Sequence, residues 1–456
     1  MINAATEQLA FIKKFLNKGH SRSANARKNI LASFLIKGCN IAIGLVLVPL
    51  TIHYVNPTQY GIWLTLSSII GWLGFFDIGL GNGLRNKFAE ALAKGDHARA
   101  KVYVSTTYAI LTIIIAATLL IFFCINPFLN WARILNAPTE LTRELSMLAI
   151  IVFSSFALRF VLQLITTILT ADQKPARASL FNLFGSIFSL VVIFILTKTT
   201  TGNLLYLGLG LAFTPVLVFS ASSIWFYSGE YKKYSPSFKH VDFHLSRDLM
   251  GLGVKFFVIQ IAAIVLYETA NIIISQLFGP AEVTPYNIAY KYFGIISMVF
   301  SIIMTPFWSA FTEAWHKKDM VWIQTTMKKL NLLSIVSILL ILGMLAVSSF
   351  AFRIWVGKEV TVPIGISIVL AAYFIIYVRN MIYIYFLNGI GKVKLQLYSS
   401  VAGMIINIPL AIFLGRKLGV AGVILSSVIL NGINTIWTVI QYKKIINNKA
   451  TGLWAE

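Results

Sequence analysis

Seven ionisable residues stand inside long apolar runs of this 456-residue chain: Lys37, Asp77, Arg159, Lys255, Glu268, Lys291 and Arg379. A charge at the centre of a membrane span costs about 2.5 to 3.5 kcal/mol on insertion scales, so such residues face a polar cavity or a partner. Five cations against two anions leave the set at +3. That balance suits an anionic group. A diphosphate is the obvious candidate in a membrane, because guanidinium and ammonium groups bind phosphate oxygens through charge-assisted bonds.

Each position also has a plainer role. Lys37 and Lys255 lie about a third of the way up the first helix of each half of the chain, where a long stem can snorkel to the inner headgroups. Arg159 and Arg379 fall in the fourth and tenth apolar runs, nearer the middle, which favours a cavity. Lys291, in YNIAYKYFGI, is flanked by Tyr286, Tyr290 and Tyr292, either a pocket for a sugar or an interfacial aromatic belt. Glu268, in LYETANII with Asn271 three residues on, can exchange H⁺ or Na⁺ or pair with a cavity lysine. Asp77 is the second candidate for ion coupling. The expected cavity set is therefore Arg159, Lys255, Lys291, Arg379 and Lys37.

Other patterns carry less. DIGLGNGLRN, from Asp77 to Asn86, has alternating glycines but ends an apolar run, whereas a phosphate loop follows a strand; close helix packing is the better reading. HVDFH, from His240 to His244, has the histidine spacing of a zinc protease motif without its glutamate, so no metal is expected. No Walker A sequence is present, so ATP is not the expected energy source, and no cofactor is expected beyond H⁺ or Na⁺. Cys39 and Cys124 both lie in apolar runs and imply no disulfide framework.

The elements that must position these residues are membrane helices. With 57% hydrophobic residues and only 12% charged, the chain is far from the roughly 25% charge of soluble domains. Twelve segments reach the roughly 20 apolar residues a span needs: 29–52, 60–83, 102–129, 143–169, 176–197 and 204–227, then 248–275, 283–307, 325–350, 363–387, 395–414 and 420–440. The net charge of +22 resides in short loops. It is read as orientation rather than nucleic-acid binding, and the loop asymmetry places both termini in the cytoplasm. Residues 1–28 form a basic amphipathic leader, with Leu9, Ile12, Phe15 and Leu16 on one helical face, suited to the inner headgroup region. The leader lacks the shape of a cleaved signal, so the first span is expected to remain.

An internal repeat organises the rest. FAEALAKGD, from Phe88, and FTEAWHKKD, from Phe311, share five of nine positions and read as corresponding basic, amphipathic loops. The same offset of 223 residues carries Pro57 onto Pro280. At an offset of 218, LTADQKPARASLFNLFG from Leu169 falls on LNGIGKVKLQLYSSVAG from Leu387. Six spans per half is an even number, so the halves are parallel repeats about an axis along the membrane normal. The expected fold is all-α: bundles at 29–227 and 248–440 facing across a central cavity, a cytoplasmic linker at 228–247 and a cytoplasmic tail at 441–456.

The segment from Asn56 to Asp96, NPTQYGIWLTLSSIIGWLGFFDIGLGNGLRNKFAEALAKGD, resembles the polysaccharide-synthesis branch of the multidrug/oligosaccharidyl-lipid/polysaccharide exporter superfamily, which includes the O-antigen and capsule repeat-unit flippases. FGPAEVTPYNIAYKYFGI carries the likeness in the second half. The resemblance implies translocation of undecaprenyl-diphosphate-linked oligosaccharide across the bacterial inner membrane, through a cationic cavity, by alternating access. The implied partners are the lipid-linked oligosaccharide and the bilayer, with a polysaccharide polymerase and other assembly proteins as further candidates. A cation-coupled drug antiporter of the same superfamily remains the alternative; its cavity should favour acids. A membrane polymerase or ligase is disfavoured by the short outer loops.

Overall fold

The computed structural model describes residues 21–72, 80–172, 174–246, 249, 261 and 268–455, and every regular element among them is helical. The first half contains α1 (Ser21–Val55), α2 (Pro57–Gly71), α3 (Leu80–Ala93), α4 (His97–Ile125), the short α5 (Trp131–Leu135), α6 (Thr142–Leu162), α7 (Leu164–Ala171), α8 (Pro175–Thr199) and α9 (Leu204–Ser228). The second half has a helical segment at 268–278, then α10 (Val283–His316), α11 (Met320–Ala346), α12 (Ser348–Trp355), α13 (Ile364–Gly389), α14 (Lys394–Leu418) and α15 (Val420–Ile446).

Ten described helices are long and apolar enough to cross a bilayer. The two remaining expected spans, 60–83 and 248–275, run through residues outside those described. The observed helices overrun the apolar segments because they continue beyond the hydrocarbon layer. Backbone groups cannot remain unpaired in lipid, so closed helical hydrogen bonding is the available solution. Many outward side chains are apolar and exposed, among them Leu120, Ile224 and Leu339, as a lipid-facing surface requires.

Helix starts follow from local chemistry. Asn56, Asp96, Asn203 and Asp319 each accept a hydrogen bond from the backbone N–H three residues on, which satisfies an otherwise orphaned donor. Proline opens α2 and α8, where its missing N–H costs nothing.

The repeated nine-residue motif is mostly helix rather than loop. Residues 88–93 and 311–316 end α3 and α10, and only the last three residues of each copy turn. In each copy the glutamate pairs with the lysine four residues on, Glu90 with Lys94 and Glu313 with Lys317. Gly95 and Lys318 then take positive φ, and Asp96 and Asp319 cap the following helix with φ/ψ of −83/76° and −82/73°. Asn56 and Gly279 repeat an unusual 91/162° and 95/158° before their prolines. The local backbone thus recurs at the offset seen in the residues. At the 218 offset, Lys174 N–H donates to the Leu169 carbonyl and Lys392 N–H to that of Leu387.

Among the described residues, the two halves share a hydrophobic cluster at one end. We call it the far end, opposite the end that carries the segment 229–246 and the C-terminus. One hydrophobic cluster there draws Ile52, Ile62 and Leu148 from the first half together with Ile274, Phe293 and Phe374 from the second. At the linker end the core divides. One cluster, around Leu84, Phe88 and Ile165, is built from the first half, with Tyr231 and Tyr234 of the connecting region and Leu249 from the start of the second half. Another, around Phe311, Met327 and Phe386, belongs wholly to the second.

Candidate functional site: a cationic cavity closed at the far end

The space between the divided cores contains two adjoining cavities. The first, of about 400 Å³, is enclosed by α1, α6, α8 and α9, and its lining includes Lys37, Asn40, Arg159, Asn182, Ser186 and Phe219. The second, of about 490 Å³, lies between α1 and α10 and includes Lys37, Asn40, Ser186, Lys291, Ile295 and Met298. Lys37, Asn40 and Ser186 line both, so the two adjoin, the first within the first half and the second reaching to α10 of the second. Among the described residues, no acid lines either cavity.

Helix geometry sets the depth of each cation. Lys37 precedes the far end of α1 by eighteen residues and Arg159 follows the start of α6 by seventeen, so both stand about 26 Å from that end at 1.5 Å per residue. The Arg159 guanidinium lies 5.8 Å from the centroid of the Phe219 ring, a contact that holds a cation where few polar partners exist. Lys291 is only eight residues into α10, nearer the closed end. Its Nζ donates to the Tyr60 hydroxyl at 3.1 Å, joining the two halves at the apex.

Of the five expected cavity cations, the structure brings three together: Lys37, Arg159 and Lys291. Arg379 is half-buried in α13 and lines neither cavity. Lys255 and Asp77 lie outside the described residues. Glu268 does not pair with Lys291. Its carboxylate is instead hydrogen-bonded to Ser68 of α2, and a Cβ added at Gly71 would sit 3.3 Å from its carboxyl carbon. The Asn271 amide donates to Ser68 Oγ at 2.7 Å, and the Asn287 amide donates to Asn271 Oδ1 at 2.7 Å. Glu268 is thus one member of a polar lock across the halves.

Further cross-half bonds close the far end. Asn136 Nδ2 donates to the Ser275 carbonyl at 2.8 Å, and Ser275 Oγ donates to the Leu135 carbonyl at 2.8 Å. Gln276 Nε2 donates to the Arg133 and Ile134 carbonyls, so the other half adds donors to the C-terminal carbonyls of α5, where intrahelical partners run out. Pro49 inside α1 supplies no N–H to the Leu45 carbonyl; the Trp355 indole of α12 donates to that carbonyl at 2.8 Å. Around the repeat axis, Thr284 Oγ1 donates to the Pro57 carbonyl at 2.6 Å. Its repeat counterpart Gly61 is packed so closely on the Pro280 carbonyl that an added Cβ would stand 1.8 Å from the oxygen. Residue 61 meets 280 as 284 meets 57, the reciprocal contact expected of two related copies.

Charge counting alone missed the uncharged members: Asn40, Asn182 and Ser186 in the cavity, Ser68 and Asn287 in the lock. A buried amide is also costly in an apolar span, so asparagines within the runs were the available signal.

The sequence profile of the polysaccharide biosynthesis protein family matches residues 26–311. A protein of Salmonella typhimurium provisionally named an O-antigen transporter is 22% identical, over 89% of this chain and 93% of its own length. A Yersinia pseudotuberculosis protein provisionally named an O-antigen export protein is 22% identical over 76% and 79%. Among solved structures, an inward-facing multidrug resistance MATE family transporter of the MOP superfamily superposes with a TM-score of 0.77 at 13% identity, over 92% of this chain and 98% of its own. The chain belongs to the polysaccharide biosynthesis protein family and has the fold of the multidrug/oligosaccharidyl-lipid/polysaccharide exporter superfamily.

Proposed function

We propose that the protein is a flippase that carries an undecaprenyl-diphosphate-linked oligosaccharide repeat unit across the bacterial inner membrane by alternating access, for cell-surface polysaccharide synthesis. The observation that carries this reading is the convergence of Lys37, Arg159 and Lys291 on two adjoining cavities whose described lining residues include no acid. Such a site attracts a diphosphate and opposes a cationic drug. The family membership and the O-antigen names of the relatives favour the same cargo.

The geometry fits a division of the substrate. Volumes of 400 and 490 Å³ are those of small-ligand sites and suit the diphosphate and adjoining sugar rings. Amides and hydroxyls at Asn40, Asn182 and Ser186 can meet sugar hydroxyls, and the polyprenyl chain stays in the bilayer. The basic residues of the linker end support a cytoplasmic setting for it, and in that setting the cavity, closed at the far end, loads from the inner side. No nucleotide motif is available, so the return step draws on consumption of the substrate outside or on H⁺ or Na⁺ at Glu268 or Asp77.

The test is depletion of the protein in its own cell. The lipid-linked repeat unit is expected to accumulate in the cytoplasmic leaflet. Accumulation in the outer leaflet, or none, would overturn the reading.

A further inference from the structure

The segment that joins the halves is laid along the lipid-facing side of the first half. The Tyr234 hydroxyl and His97 Nδ1 share a hydrogen bond of 2.8 Å, Ser237 N–H donates to Ser105 Oγ at 3.1 Å, and Asp242 N–H donates to Thr106 Oγ1 at 3.0 Å. Ser105 is eight residues into α4, about 12 Å along its axis. The segment therefore climbs from the helix end to the level at which α4 becomes continuously apolar. There Phe238 is 95% exposed and Phe243 55% exposed, beside exposed Lys232, Lys233 and Lys239. The acids of the segment are already engaged. Glu230 pairs with Lys174 and Arg177, and Asp242 accepts from the His244 N–H.

Under the two phenyl rings runs a groove of about 450 Å³, with Tyr108, Ala109 and Ile113 of α4 on one wall and Pro236, Val241 and Phe243 on the other. Its lining is mainly apolar, and it follows α4 toward the membrane interior, with Ile113 itself 57% exposed. We propose that this groove holds one acyl chain of an anionic phospholipid whose phosphate lies among the linker lysines. A zwitterionic lipid would fill the groove with no net charge to match the three ammonium groups, and a free phosphate would meet the ammonium groups and leave the groove and Phe238 in water. An anionic lipid satisfies both parts of the surface at once, and basic residues beside a membrane attract such headgroups. The site is separate from the cavity and does not depend on what the cavity carries.

Native mass spectrometry of the full-length protein, incubated in detergent with phosphatidylglycerol or phosphatidylcholine of matched chains, tests the proposal. Wild type is expected to retain phosphatidylglycerol in preference. Combined Lys232→Gln, Lys233→Gln and Lys239→Gln should lower that preference by on the order of tenfold or more. Ala109→Trp, which fills the groove, should lower retention of both lipids, and so should Phe238→Ser, which removes a ring over the groove without changing the helix packing. Equal retention of the two lipids by wild type, or an unchanged preference in the lysine variant, would overturn the proposal. Displacement by a polyprenyl diphosphate but not by added phosphatidylglycerol would assign the groove to the cargo and overturn it as well.

Discussion

Arg159 and Lys37 illustrate how far single residues can be read. A guanidinium in an apolar helix demands a cavity or partner, and Arg159 has both a cavity and the Phe219 face. Replacing Arg159 with Ala removes charge-assisted bonds to a phosphate, typically about 1.5 to 3 kcal/mol, so transport should fall roughly 10- to 100-fold. Insertion should be unimpaired, because a charge has been removed from a span. Quantifying membrane-inserted protein alongside transport separates the two. Glu268 was legible as costly but not as a partner of Ser68, because the partner sits 200 residues away in the sequence. If it binds the coupling ion, Glu268→Gln should abolish the dependence of reconstituted transport on a proton or sodium gradient. Equal dependence in both proteins would leave Glu268 as a structural member of the lock.

The elements were legible where apolar length and capping residues agree, as at Asp96 and Asp319. They were less legible where helices leave the bilayer: the motif at Phe88 and Phe311 has loop-like charge but keeps helical pairing through its i, i+4 ion pairs. Helix-to-helix closure depends on tertiary approach and left little trace in local pattern. Gly61 is such a case. Gly61→Ala would drive a Cβ into the Pro280 carbonyl and should destabilise the closed far end by about 1 to 3 kcal/mol. Trp355→Phe would leave the Leu45 carbonyl without its donor, a similar loss. Either change should raise the rate at which a thiol probe added at the far side labels Tyr60→Cys in a background without Cys39 and Cys124. Unchanged labelling would remove these contacts from the closure.

The connecting segment has its own clamp. Lys174 bridges Asp172 and Glu230, and the Tyr231 hydroxyl donates to Asp172. The hydrogen bond from Lys174 holds Glu230 below its ordinary value of 4.5. Burial works against the Lys174 charge, yet its bonds to Asp172, Glu230 and Tyr231 raise it above 10.5. The lowered acid contributes stability above its unfolded value and loses it as pH falls through the folded one. The raised base contributes below 10.5 and loses it as pH rises through its folded value. Protection factors for amide exchange of residues 229–234, taken against the intrinsic rate at each pH, should therefore be flat across neutral pH and fall only as pH drops below the carboxylate range. Loss of protection already between pH 6 and 7 would contradict this clamp.

At the scale of the whole molecule, the repeat was visible in residues and is matched by recurring backbone angles and reciprocal contacts. The conformation was not visible, because a divided core at one end and a shared core at the other is a property of how the halves meet. The measurement that tests the account most directly is transbilayer movement of an undecaprenyl-diphosphate-linked oligosaccharide in vesicles holding wild type, Arg159→Ala or Lys291→Ala, with an uncharged lipid-linked sugar as the comparison cargo. Wild type should move the diphosphate-linked cargo faster than the uncharged one, and both variants should lose that difference at equal protein content. Equal movement of the two cargoes by wild type, or full activity in both variants, would contradict a cationic path through this cavity.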